Sequence, residues 1–175
     1  MTEGQIVIVA LRLLIPLLIP RFPLAGGLLA MAMDGLDVVL VELISDGGMG
    51  SHYHTLDKLL DLYYLGLEAW TVRRWLNVPA RTAALALFAW RVVGVALFEL
   101  TEIRWVLFVF PNLFENWFLA FLIVRRFFPR HEPKTWRAVG IWLAVLYVPK
   151  LGQEYLLHVA EAQPWDWIKR NLLGG

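Results

Sequence analysis

The sequence predicts an all-α, polytopic integral membrane protein, with about six transmembrane helices and a short interfacial helix near the C-terminal end. Three observations carry that expectation. The 175 residues are 59% hydrophobic and include nine tryptophans, with a mean hydropathy of +0.58, too apolar for a water-soluble domain of this length. The apolar residues fall in blocks long enough to span a bilayer. Lys and Arg gather in alternate connections between those blocks.

The first segment, 6–19, contains Arg12 and Pro16. At about 1.5 Å per residue it covers only about 21 Å of a hydrocarbon core about 30 Å thick. It is expected to tilt, to thin the bilayer, or to lie partly in the interface. Pro20-Arg21-Phe22-Pro23 ends it, and the second segment, 24–44, carries Asp34, Asp37 and Glu42. Ser45 to His54 reads as a Gly-rich loop. The third segment, 55–72, stops at Arg73-Arg74-Trp75. Asn77 followed by Pro79 is a helix-start signal, and the fourth segment runs 80–100. The fifth, 104–124, is interrupted by Pro111, and the sixth, 136–160, by Pro149. Residues 164–173, with Trp165, Trp167, Lys169 and Arg170, read as the interfacial helix. These segments form a single membrane domain over 1–175, and the N-terminus lacks the basic stretch of a cleaved signal peptide.

Charge sets the orientation. Arg21, the 73–81 connection (Arg73, Arg74, Arg81) and the 125–137 connection (Arg125, Arg126, Arg130, Lys134, Arg137) share one face if all segments cross. The positive-inside rule puts that face in the cytoplasm and both termini outside. Trp75 and Trp136 are then expected at the inner interface, and Trp105 at the outer one. A net charge of +1 offers no one-sign field for nucleic acid, which is excluded as a partner. With no cysteine, thiolate chemistry and Cys-based metal sites are excluded as well.

The ionisable residues inside the apolar segments are the candidate site, because a charge at mid-bilayer costs about 3 kcal/mol and is kept for a use. Asp34 and Asp37 are three apart and Asp57 and Asp61 four apart, so each pair lies on one helix face. Two carboxylate pairs on adjacent helices suit Mg²⁺ or Mn²⁺, with a remaining carboxylate as general base. Equally, Asp57 and Asp61 suit the partly solvated start of a helix. His52 and His54 beside Asp57 offer a zinc set, although histidines in a polar loop are ordinarily just solvated. Pro111 frees a carbonyl beside Asn112, Glu115 and Asn116, and Pro149 is expected to repeat the device beside Lys150, Glu154 and His158. Glu99, Glu102, Asn112, Glu115, Asn116, Lys150, Glu154 and His158 therefore line an expected outward-opening polar cavity or ion path. The simpler account of Glu99 and Glu102 is an ion-pair network with Arg104. Arg12 can snorkel, whereas Arg91 needs a partner, Asp34 or Glu115. Arg12, Asp34 and Asp57/Asp61 are also paralleled by Arg91, Glu115 and Lys150/Glu154, as an inverted repeat would arrange them.

The stretch 12–61 resembles the CDP-alcohol phosphotransferases, six-helix membrane enzymes of about this size. Asp34-x2-Asp37 and Asp57-x3-Asp61 match the two acidic halves of that family's motif, with a longer gap, and Arg12 followed by Pro16 is similar too. Val38, Val41-Glu42 and Tyr53 depart from it. The resemblance implies metal ligation by Asp34, Asp37 and Asp57, with Asp61 as catalytic base on a lipid or lipid-like alcohol. The leading expectation is thus a divalent-metal-dependent phosphotransferase-like membrane enzyme. The alternatives are a proton- or cation-coupled transporter or channel, and a non-catalytic subunit beside another membrane protein. The thinly polar inner half tells against an open through-channel.

Overall fold

The structure, a computed structural model, describes residues 3–44, 51–103 and 105–158; of 3–5, 37–44, 51–55, 57, 153, 154 and 156–158 the backbone alone is described. The fold is all-helical, with no strand among the described residues. α1 (Glu3–Leu14) tightens into a 3-10 turn (Ile15–Leu18) and is followed by α2 (Pro23–Ile44), α3 (Ser51–Val72) and α4 (Val78–Thr101). The fifth segment is broken into α5 (Trp105–Val109) and α6 (Leu113–Phe127). A 3-10 turn (Pro129–His131) leads to α7 (Trp136–His158).

Local chemistry explains the boundaries. Pro16 lacks the N–H that would bond the Arg12 carbonyl, and α1 gives way to the 3-10 turn there. Tyr63 donates its hydroxyl to the Leu13 carbonyl just before the change, 3.1 Å away. The Asn77 side chain accepts from Ala80 N–H at 3.0 Å and caps α4, with Pro79 in its first turn. At the other end Glu102 takes the left-handed conformation, φ 56°, and its N–H bonds the Phe98 carbonyl at 2.7 Å.

Two expectations change here. α3 begins at Ser51, not Thr55, because no Gly or Pro after Gly50 stops it; His52 and His54 therefore lie on helical backbone. Pro111 breaks its segment, whereas Pro149 stays within α7. A proline inside a helix removes the bond to the carbonyl four residues earlier, here that of Val145, without necessarily ending the helix. Ser45 to Gly50, Arg104 and the 164–173 segment lie outside the described residues.

α6 is the central helix, packed on α2, α3, α4 and α7. It buries Phe114, Trp117, Phe118 and Phe121 almost completely. The facing side of α4 is Ala80, Ala83 and Ala84, and small side chains let the two backbones approach. Trp117 uses that closeness to donate its indole N–H to the Ala80 carbonyl at 3.1 Å. Trp75 is 4% exposed and stacks on Phe121 and Phe118, at 4.1 and 5.8 Å between centroids. It belongs to the core of the bundle, next to the basic Arg73-Arg74 pair. Trp105 and Trp136 are exposed.

The connections sort by end. Asn77 donates to Glu132 and to the Pro133 carbonyl at 2.8 and 3.0 Å, and Arg21 shares a groove with Arg125 and Arg126. The three basic connections therefore occupy one end of the bundle. At the other end Lys58 on α3 pairs with Glu99 on α4 at 2.7 Å. Val78–Thr101 and Trp105–Phe127 are long and apolar enough to cross a membrane.

Glycines mark the closest approaches. A Cβ on Gly26 would lie 2.6 Å from the backbone nitrogen of Ile19 and 2.8 Å from its Cα, where neither chain can yield. On Gly140 it would meet nothing within 4 Å. Gly26→Ala is therefore expected to lower stability by about 1–3 kcal/mol. Gly140→Ala should instead be neutral or stabilising by up to about 1 kcal/mol. Thermal unfolding in detergent checks the pair, and equal midpoints would disprove the tight α2 contact.

Candidate functional site

The site is built on one face of α3. Asp57, Asp61, Tyr64 and Glu68 recur three or four residues apart and share a stripe. The side chain of Asp57 lies outside the described residues. The others face the interior of the bundle at successive depths.

At the end opposite the basic connections, Arg12 is 4% exposed. It donates to Oδ1 of Asp34 and to Oδ1 of Asp61, each at 2.5 Å, joining α1, α2 and α3. The two carboxylates remain 35% and 28% exposed, so this end of the site is open. Beside Asp61 lies a cavity of about 30 Å³, also lined by Lys58, Arg91, Val95 and Leu107. That is room for one water between Asp61 and Arg91.

Arg91 donates to the Phe110 carbonyl at 3.1 Å. Its hydrogen-bond partner is the broken backbone between α5 and α6, where a carboxylate was expected. Glu115, in the first turn of α6, is buried and accepts from Asn112 at 3.1 Å. Lys150 and Arg91 both act on it electrostatically. Lys150 is itself buried on α7. Tyr64 sits between the two ends of the site, near enough to Glu115, Asp34, Asp61 and Glu68 to feel all four.

Glu68 is the deepest group. It is 0% exposed, and neither carboxylate oxygen has a hydrogen-bond donor among the described residues. Glu115 faces it. Its Oε1 would lie 3.2 Å from a Cβ on Gly27, with Phe118 and Leu119 against the same spot, so the missing side chain of Gly27 makes room for the carboxylate. α3 ends at the fully buried Val72, and beyond it Trp75 stacks on Phe118 and Phe121 of α6, toward the basic end.

The structure therefore brings together Asp34, Asp61, Asn112, Glu115 and Lys150 from the expected set. Glu99 and Glu102 lie at the rim, Glu99 engaged with Lys58 and Glu102 exposed at the helix end. Asn116 is half-buried, its side-chain oxygen without a donor among the described residues. The side chains of Asp37, Asp57, Glu154 and His158, as of His52 and His54, lie outside the described residues. Among the described residues no three His, Asp or Glu side chains are grouped to hold a metal ion. Asp34 and Asp61 as placed suit a guanidinium, whose positive charge opposes a dication at the same oxygens. Glu68 and Tyr64 were missing from the expected site, although their spacing after Asp61 was a readable signal.

Comparison with protein-family models, with curated proteins and with solved structures yields no match.

The Arg12 cluster has a measurable signature. Arg12→Leu should cost about 1–3 kcal/mol, because it removes the buried cation from two carboxylates that stay partly hydrated. Arg12→Leu combined with Asp34→Asn and Asp61→Asn should recover most of that loss. Detergent unfolding midpoints that merely add across the three substitutions would show that the groups do not meet.

Proposed function

We propose that the chain is a multi-pass membrane transport protein that carries protons, with Glu115 and Glu68 as the groups that take them up and release them. The observation that carries this reading is the burial of Glu68 with no donor among the described residues, within electrostatic range of a second buried carboxylate, Glu115. A bare carboxylate in such a place is costly, and the cost falls when it takes a proton or holds a small cation. Carboxylates kept inside membrane proteins characteristically belong to proton or ion paths.

Access comes from the open end. Asp34 and Asp61 are part-exposed, Tyr64 stands one helical turn deeper, and Glu68 lies about 10 Å from Asp61 along α3 at about 1.5 Å per residue. The Trp75–Phe118–Phe121 stack is the barrier on the far side. A path that ends at a buried acid behind an aromatic barrier suits a gated carrier better than an open channel. The phosphotransferase reading receives less support from this geometry, since Arg12 holds two of its four aspartates.

The multi-pass reading is supported by the two apolar helices of spanning length. It is supported also by outward apolar faces on α1, α4 and α7, with Leu100 83% and Val148 71% exposed. Patches of this extent are not left facing water by a monomeric soluble protein. All six segments then cross, with the basic end in the cytoplasm. Tags inserted at 77–81 and at 129–134 should report cytoplasm, and one at 47–50 the outside. The reverse pattern overturns the orientation.

Transport is tested in proteoliposomes. A potassium diffusion potential should drive protein-dependent proton uptake, read by an internal pH dye, and Glu68→Gln and Glu115→Gln should each abolish it while helicity is retained. Flux undiminished by both variants removes these residues from the path. Sodium uptake in place of proton uptake would reassign the pair to a cation.

A further inference from the structure

The basic end of the bundle holds a second feature that the proton path does not use. A groove of about 800 Å³ lies between the start of α2 and the end of α6. Arg21, Arg125 and Arg126 stand along it, over an apolar lining that includes Leu24, Leu28 and Leu122. No Asp or Glu lines it, and none of the three arginines is in an ion pair among the described residues. Three guanidinium groups beside exposed hydrocarbon surface call for an occupant that is anionic at one end and apolar at the other.

We propose that this groove is a binding site for an anionic phospholipid, its phosphate held by Arg21, Arg125 and Arg126 and an acyl chain laid along Leu24, Leu28 and Leu122. The inference rests on the multi-pass reading, which puts the basic end at the cytoplasmic interface, and is independent of the proton path. Arginine suits the role because its planar fork binds phosphate oxygens two at a time. Basic pockets between helices on the cytoplasmic side are where anionic headgroups bind. Arg21 also lies over the Phe22 ring, 5.9 Å from its centroid, and Phe22 lines the same groove. A free phosphate would use the arginines and ignore the leucines; the lipid uses both.

The test is native mass spectrometry of the full chain in detergent, titrated with phosphatidylglycerol or phosphatidylcholine of the same acyl length. The parent should retain phosphatidylglycerol at least tenfold better. Replacing Arg21, Arg125 and Arg126 together by Gln should remove that preference. Leu28→Trp, which fills the groove and leaves every charge in place, should reduce retention of phosphatidylglycerol to the same degree. Arg73→Gln with Arg74→Gln, at the same end but off the groove, should leave it unchanged. Helicity and unfolding midpoint are recorded for each variant, and Leu28→Trp decides if the triple variant does not fold. Equal retention of the two lipids, an equal effect of the Arg73/Arg74 pair, or displacement by millimolar inorganic phosphate would each overturn the proposal. Whether extraction from cells requires detergent is scored separately, so failure of the membrane reading is distinguishable from failure of the lipid site.

Discussion

The guanidinium of Arg12 reaches Asp34 on α2 and Asp61 on α3, so three helices are tied at one part-buried point. The surrounding geometry exists to let that happen. Gly26 allows the 3-10 turn after α1 to lie directly on α2, and the Tyr63 hydroxyl fastens the end of α1 to α3. A buried ion pair stabilises little by itself, since desolvation offsets most of the attraction. It does make any arrangement that separates its members expensive. Arg12 thereby selects the register in which the polar stripe of α3 faces inward.

The second half of the chain uses a related device with different parts. Pro111 interrupts the fifth segment, and Arg91 donates to the Phe110 carbonyl at the break. The break lets Asn112 and Glu115 turn into the bundle at the start of α6. α6 can carry a buried carboxylate there because the rest of the helix is anchored by Trp117, Phe118 and Phe121 against the alanine face of α4. In each half an arginine on one helix secures groups on the segments packed against it. The difference is that Arg12 holds side chains, whereas Arg91 holds a carbonyl and acts on Glu115 at longer range.

The two ends of the molecule are chemically opposed. One presents acids that are part-exposed and lead inward; the other presents arginines beside hydrocarbon. Toward the basic end the bundle is filled by the buried stack of Trp75, Phe118 and Phe121. The proton path and the lipid site proposed above rest on opposite ends, so neither depends on the other's residues.

Hydropathy, proline and charge made the helices legible. The segments agree with the observed helices to within a few residues, and the Asn77–Pro79 start of α4 follows from capping chemistry alone. Helical spacing alone is also enough to put Asp61, Tyr64 and Glu68 on one face. Pairing was not legible. Nothing in the sequence says that Pro111 breaks its helix while Pro149 does not, or that Trp75 turns into the core. Those outcomes depend on what each residue meets across the bundle. The sequence by itself determined which stretches are helical, which ends are basic and which acids share a helix face, because these depend on local propensity and on a fixed period of about 3.6 residues. The tertiary structure decided which acids meet which cations and which carboxylate is left without a donor among the described residues. That follows from the rotation of each helix about its axis, set by contacts such as Gly26 on Ile19 and Trp117 on Ala80 between residues distant in the chain.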